Sequence, residues 1–116
     1  MDSEVVWKVE FLDFERVVKN LTKLSANELT RFLKEIKIDF EVLVLRIFST
    51  DRAKWLGNGL AEYRYRVNPT VLVRCFFCVR DEQVFLILSV YDKKRDPSAK
   101  RQAREIVLAR KLMRGI

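Results

Sequence analysis

The chain has 116 residues, 49% of them hydrophobic and 34% charged, with three glycines and two prolines; this composition supports one packed domain and excludes disorder, collagen-like repeats and a glycine-rich linker. Twenty-three Lys and Arg against 16 Asp and Glu leave a net charge of +7, which favours a polyanionic partner, nucleic acid first and an anionic membrane surface second. No apolar run approaches the ~18 to 20 residues of a transmembrane helix, and Met1-Asp2-Ser3-Glu4 is acidic where a signal peptide would be basic, so the expected compartment is the cytoplasm.

Charge divides unevenly along the chain. Residues through Thr50 hold eight basic and nine acidic side chains, the remainder fifteen and seven, so the polyanion site is expected in the second half. Val5 to Phe11 alternates, with Val5, Trp7, Val9 and Phe11 on one face, and reads as a strand. From Asp13 to Leu24 the spacing becomes helical: Phe14, Val17, Val18, Leu21 and Leu24 share a stripe, and Asn20-Leu21-Thr22 within it is a chance match to a glycosylation sequon. Ser25-Ala26-Asn27-Glu28 is a capping box that opens a second helix. Leu29, Leu33, Ile36, Phe40, Leu43 and Ile47 then keep a three-four spacing without Gly or Pro, which predicts one long helix to about Phe48. The competing reading breaks it near Asp39, because the β-branched Val42, Val44 and Ile47 also suit a strand.

Asp51 to Gly59 reads as a connector that carries Lys54 and Trp55 and ends in the turn Gly57-Asn58-Gly59. Three strand candidates follow, Leu60 to Val67, Val71 to Val79 and Val84 to Tyr91, with breaks short enough for antiparallel hairpins. Pairing Val67 with Val71 sets Tyr65 opposite Val73, Arg64 opposite Arg74 and Tyr63 opposite Cys75. Pairing Val79 with Val84 sets Phe77 opposite Leu86, Cys75 opposite Leu88 and Val73 opposite Val90. One face is then apolar and suited to the two helices, while the other carries Glu62, Arg64, Arg66, Arg74, Phe76, Phe85, Ile87, Ser89 and Tyr91. Directly opposed guanidinium groups repel by up to about 1 kcal/mol; either an anion joins them, or both point into water beside Glu62. Phe76, Phe85 and Ile87 are too apolar to stay bare, so a cover is expected there. Cys75 and Cys78, three apart on a strand, face opposite sides and cannot share a metal or a bond.

Asp96-Pro97-Ser98 starts a last helix running to Arg114, with nine basic and two acidic residues from Lys93 to Arg114. Ala99, Ala103, Ile106, Ala109 and Met113 form its narrow apolar stripe, fit to lie over the apolar end of the sheet.

The order strand, helix, helix, antiparallel strands and basic C-terminal helix resembles the RelE/ParE toxin superfamily, most closely its HigB-like, phage-derived branch. Three motifs carry the likeness: Leu56-Gly57-Asn58-Gly59-Leu60-Ala61-Glu62-Tyr63-Arg64, the arginine strand Val73-Arg74-Cys75-Phe76-Phe77, and Tyr91-Asp92-Lys93-Lys94. The chain departs from the pattern with Tyr63 in place of leucine, with Arg95-Asp96-Pro97 in place of a longer Thr-x-Lys-Thr-Pro stretch, and with no histidine anywhere. The resemblance implies one α+β domain over residues 1–116: an N-terminal strand, two helices packed on an antiparallel sheet of about four strands, and a basic C-terminal helix. It implies a type II toxin-antitoxin toxin, a ribosome-dependent endoribonuclease that cuts mRNA. Its partners would be the ribosome and a helix-turn-helix antitoxin, with a heterotetramer as the candidate assembly.

Cleavage without metal or cofactor requires the 2′-hydroxyl to attack its own phosphate, with a proton removed, a phosphorane stabilised and the leaving oxygen protonated. Arg64 and Arg74 suit the phosphorane; Tyr91 suits base stacking or proton donation; Lys54, Lys93 or Lys94 suits acid or base work where nearby cations depress its pKa. Arg66, Lys94, Lys100, Arg101 and Arg104 are the candidate RNA-binding cations. No acidic cluster resembles a two-metal site, Asp92 and Asp96 being too few. Two other readings stand beside this one: a ParE-like poison of DNA gyrase, and a non-catalytic nucleic-acid-binding accessory domain.

Overall fold

A computed structural model of the chain describes residues 6–81, 83–93 and 97–116. It is an α+β fold in which a five-stranded sheet, ordered β1-β5-β4-β3-β2, carries helices on both faces. The strands are β1 (Lys8–Phe11), β2 (Ala53–Gly57), β3 (Leu60–Asn68), β4 (Val71–Arg80) and β5 (Val84–Asp92); the α-helices are α1 (Phe14–Asn20), α2 (Ala26–Ile38) and α3 (Ala99–Arg114). The expectation of an antiparallel sheet of about four strands is thereby corrected on two counts. β1 runs parallel to β5, Val9 beside Phe85, because α1 and α2 lead the chain away from β1 before the other strands form. The connector is itself an edge strand, β2, closed onto β3 through a tight turn in which Asn58 and Gly59 both hold positive φ (51° and 84°), the conformation an Asn-Gly hairpin requires.

The capping box forms as expected, Glu28 N–H donating to Ser25 Oγ and Ser25 N–H to Glu28 Oε1. The long helix does not. α2 stops at Ile38; Asp39–Leu43 forms a π-helical turn and Val44–Ser49 a 3-10 turn, with β-branched Val44 at φ 54°. The chain therefore breaks near Asp39 without becoming a strand. Asp39 is buried, takes both carboxylate contacts of Arg52 (3.0 and 3.1 Å) and accepts from the Tyr63 hydroxyl at 2.5 Å. A carboxylate so deep must be paired, and meeting those partners redirects the backbone. It also accounts for tyrosine at position 63, where leucine could not donate.

Against α1, α2 and these turns lies the larger core. Phe40 sits at its centre, fully buried, with ring centroids 4.7 Å from Phe85, 4.8 Å from Phe77 and 5.0 Å from Tyr63. Asn20 of the sequon match is engaged, its Nδ2 donating to the Val90 carbonyl at 3.0 Å.

Register is right on one hairpin and off on the other. Tyr63 pairs with Cys75, Arg64 with Arg74 and Tyr65 with Val73, as expected, although a bulge then sets Asn68 and not Val67 opposite Val71. In the next hairpin Val79 pairs with Phe85, one residue on from the expected Val84, with Gln83 at φ 63° donating to the Arg80 carbonyl. That shift turns Phe85 and Ile87 into the larger core and Leu86 to the opposite face. A bulge at Leu88, between the pairs Phe77–Ile87 and Phe76–Ser89, then restores the expected alternation for Val90 and Tyr91. The cover expected over Phe85 and Ile87 is corrected accordingly: of the three named residues, only Phe76 lies under α3.

Candidate functional site

On the α3 face, cross-strand pairing sets Lys54 beside Glu62, and Phe76 beside Ser89. The next row runs Arg64, Arg74, Tyr91 across three strands. Lys93 continues β5, its N–H donating to the Leu72 carbonyl at 2.8 Å. Strand alternation thus brings Lys54, Arg64, Arg74, Tyr91 and Lys93, spread over 40 residues of sequence, onto one patch. Arg66 is exposed further along β3, where Asp51, Arg52, Arg64, Tyr65, Arg66 and Leu72 line a shallow groove of about 400 Å³. Lys94 lies outside the described residues.

The patch grades from wet to dry. Lys54 is exposed, Lys93 half-buried and the Arg64 side chain 41% exposed, whereas Glu62, Arg74, Ser89 and Tyr91 are at most 4% exposed. The dry end is roofed by α3. Ser98 caps that helix by accepting from Arg101 N–H, as the sequence suggested. Its docking face, however, is not the alanine stripe along its whole length: Ala99 and Ala103 are exposed, while Ile106, Ala109, Leu112 and Met113 pack on Leu60, Phe76, Cys78, Leu86 and Leu88. Toward the helix start, Arg101 and Glu105 replace the apolar contacts. The Arg101 guanidinium sits 5.2 Å from the Tyr91 ring centroid and its Nε donates to Glu105 Oε1 at 3.0 Å; on the ring's neighbour side, Phe76 stacks at 6.2 Å. Arg110 secures the other end by donating to the Leu56 and Gly57 carbonyls. Of the candidate RNA-binding cations on α3, Lys100 and Arg104 are exposed, whereas Arg101 is turned onto Tyr91; the expectation that Tyr91 stacks on a base is corrected, because Tyr91 is 1% exposed, its ring held between Arg101 and Phe76.

Glu62 is the group that sequence reading noticed without assigning a role. Its carboxylate Oε1 lies 3.6 Å from Arg74 Nε and 3.8 Å from Arg64 Nε, so the anion between the opposed guanidinium groups comes from the chain itself. Neither distance is a hydrogen bond. Both Glu62 oxygens, Arg74 Nε, Ser89 Oγ, the Tyr91 hydroxyl and Glu105 Oε2 are buried without a hydrogen-bond partner among the described residues, a concentration that native interiors reserve for strained or functional places. The spacing of Glu62, Arg64 and Arg66 on one strand face, and of Arg101 and Glu105 four apart on a helix, was the available signal for these two carboxylates.

The charges act on one another. Arg74 above all holds the Lys93 ammonium below its ordinary pKa, with burial, Arg64 and Lys54 acting the same way and Glu62 opposing. Burial raises the Tyr91 hydroxyl, Arg74 opposing, so at neutral pH the phenol keeps its proton. Burial likewise pushes both thiols up, Cys75 in the larger core and Cys78 in the α3-side core, on opposite sheet faces as the spacing required. Among the described residues, no group of three or more His, Cys, Asp or Glu could hold a metal ion, and no helix is long and apolar enough to cross a membrane.

Comparison with known proteins finds no relative: no protein-family model, no curated protein and no solved structure matches the chain.

Proposed function

We propose that the chain is a toxin of the RelE/ParE type, HigB-like, that cleaves mRNA on the ribosome without a metal or cofactor. The observation that carries this reading is the convergence of Lys54, Arg64, Arg74 and Lys93 around a protonated tyrosine on one sheet face. In the proposed reaction the 2′-oxygen bonds to phosphorus and the bond to the 5′-oxygen breaks, giving a 2′,3′-cyclic phosphate and a 5′-hydroxyl. Arg64 at the rim and Arg74 behind it stabilise the doubly charged phosphorane. Lys93, whose proton its cationic neighbours loosen, takes the 2′-hydroxyl proton when neutral, and Lys54 protonates the departing oxygen, Tyr91 being as deep as Glu62 and beyond reach of it. Lys100 and Arg104 supply phosphate contacts outside the reacting centre, with Arg66 along the groove. The reading also proposes a cytoplasmic protein silenced by a helix-turn-helix antitoxin, the two forming a heterotetramer.

Inducing the protein alone is expected to arrest bacterial growth and to leave ribosome-bound mRNA with 2′,3′-cyclic phosphate ends, and co-expressing the adjacent antitoxin gene is expected to restore growth. Arrest with intact mRNA and DNA breaks would move the chain to the gyrase-poisoning reading. Normal growth with verified folded protein would leave the accessory-domain reading.

A further inference from the structure

Burying a carboxylate is costly unless its charge is met, and Glu62 is 1% exposed. It is met from two strands, by Arg64 two residues along β3 and Arg74 diagonally across on β4, with Lys54 the register partner on β2. Arg64 and Arg74 are direct cross-strand neighbours whose like charges would drive them apart. Glu62 contacts both through Nε and gives neither a hydrogen bond, so it gathers the two guanidinium groups by charge while leaving their donors uncommitted to it. A carboxylate this deep does not reach a phosphodiester passing over the rim.

We propose that Glu62 is the positioning residue of this site: it fixes Arg74 against Arg64 and sets the charge around Lys93, without touching RNA. This rests on the endoribonuclease reading for its function, and on geometry alone for its hold over the two neighbours. Lys93, two residues beyond Tyr91 on the same strand face, feels the charges of Arg74, Arg64 and Lys54, three cations, and of Glu62, one anion. Removing the anion leaves the cations unopposed, and Lys93 then sheds its proton at lower pH. The same loss frees Arg74 to swing away from Arg64.

Two measurements on the full-length chain read this without catalysis: exchange of the Arg74 Nε–H with solvent, and the pH titration of the Lys93 ε-carbon resonance. A third is the single-turnover rate on ribosome-bound mRNA at saturating ribosomes. In Glu62→Gln, Arg74 exchange is expected to speed up on the order of 10-fold or more and the Lys93 titration to move to lower pH by about 0.5 or more. The cleavage rate falls on the order of 10-fold or more with ribosome affinity unchanged. Glu62→Asp keeps the charge and shortens the reach; there the Lys93 titration stays near that of the unsubstituted chain while Arg74 exchange and the rate change, and this variant decides the matter if the glutamine form fails to fold. Unchanged Arg74 exchange and Lys93 titration overturn the proposal. So does a change in both with the rate unaltered, which makes Glu62 a structural ion pair only. If the unsubstituted chain cleaves nothing, its own control removes the endoribonuclease reading, and the two resonance measurements still judge the hold of Glu62 on Arg74 and Lys93.

Discussion

The two faces of one sheet are built on different physics. Beneath α1 and α2, Phe32, Phe40, Phe77, Phe85 and Ile87 are fully buried and interlocked, and the deep polar groups there are answered: Asp39 by Arg52 and Tyr63, the Val90 carbonyl by Asn20. Beneath α3, burial is as deep, yet Glu62, Arg74, Ser89, Tyr91 and Glu105 keep polar atoms without hydrogen bonds. A buried polar atom left without a hydrogen bond costs about 1 to 3 kcal/mol, so the second face contributes less to stability for the same depth of burial. The first face meets its buried polar groups; the second, where the reactive groups are proposed, leaves several of its own without hydrogen bonds.

If that division is right, substitutions on the two faces should fail differently. The largest expected effect is on the face beneath α1 and α2: Phe40→Ala should lower unfolding free energy by about 3 to 5 kcal/mol in urea titration, with lost activity following lost fold. Arg74→Ala should cut the cleavage rate on the order of 100-fold or more at saturating ribosomes with affinity unchanged, the scale expected for one preorganised transition-state donor, and the melting temperature should also fall because Glu62 loses its buried partner. Arg64→Ala should cut the rate likewise. Wild-type cleavage by Arg74→Ala would take the arginine pair out of the chemistry and leave it to the lysines of the patch or nowhere.

Smaller effects separate the two ends of α3. Arg101→Ala removes the contact over Tyr91 and the pair with Glu105, so hydrogen exchange should rise in the first turns of α3 and at Tyr91 while the turns around Ala109 and Met113 stay protected. Uniform protection across α3 would show that Arg101 holds nothing. Lys100→Ala with Arg104→Ala should leave exchange unchanged and instead weaken ribosome binding and flatten its salt dependence, since exposed cations act by releasing counterions.

The smallest expected effect is on pH dependence. Lys93 has a folded pKa below its ordinary value, so the folded state binds its proton less well than the unfolded chain, and stability attributable to this residue rises as pH climbs from the folded pKa toward the unfolded one. If neutral Lys93 is the base, cleavage should also rise with pH through the lowered folded pKa. Lys93→Arg keeps the charge, cannot lose its proton in this range, and should flatten that limb of the rate profile.

Much of this was legible in residue order alone. The capping box at Ser25, the helix start at Ser98, the Arg64–Arg74 pairing and the separation of Cys75 from Cys78 depend on spacings of a few residues or on a hairpin closed by a short turn. Local stereochemistry sets such features before distant chain arrives. Other features depend on partners remote in sequence. β1 finds β5 across more than 70 residues, α2 ends where Asp39 meets Arg52 and Tyr63, and Ala53–Gly57, lacking alternation and β-branched residues, becomes a strand because β3 offers it an edge. The one-residue shift at Val84 and the bulge at Leu88 follow from turn geometry and packing against two opposed helix layers. The same holds for the burial of Glu62, Arg74 and Tyr91, the last beneath Arg101. Alternation can assign those side chains to a face, but whether that face meets water or a helix is determined by where the last 16-residue helix docks.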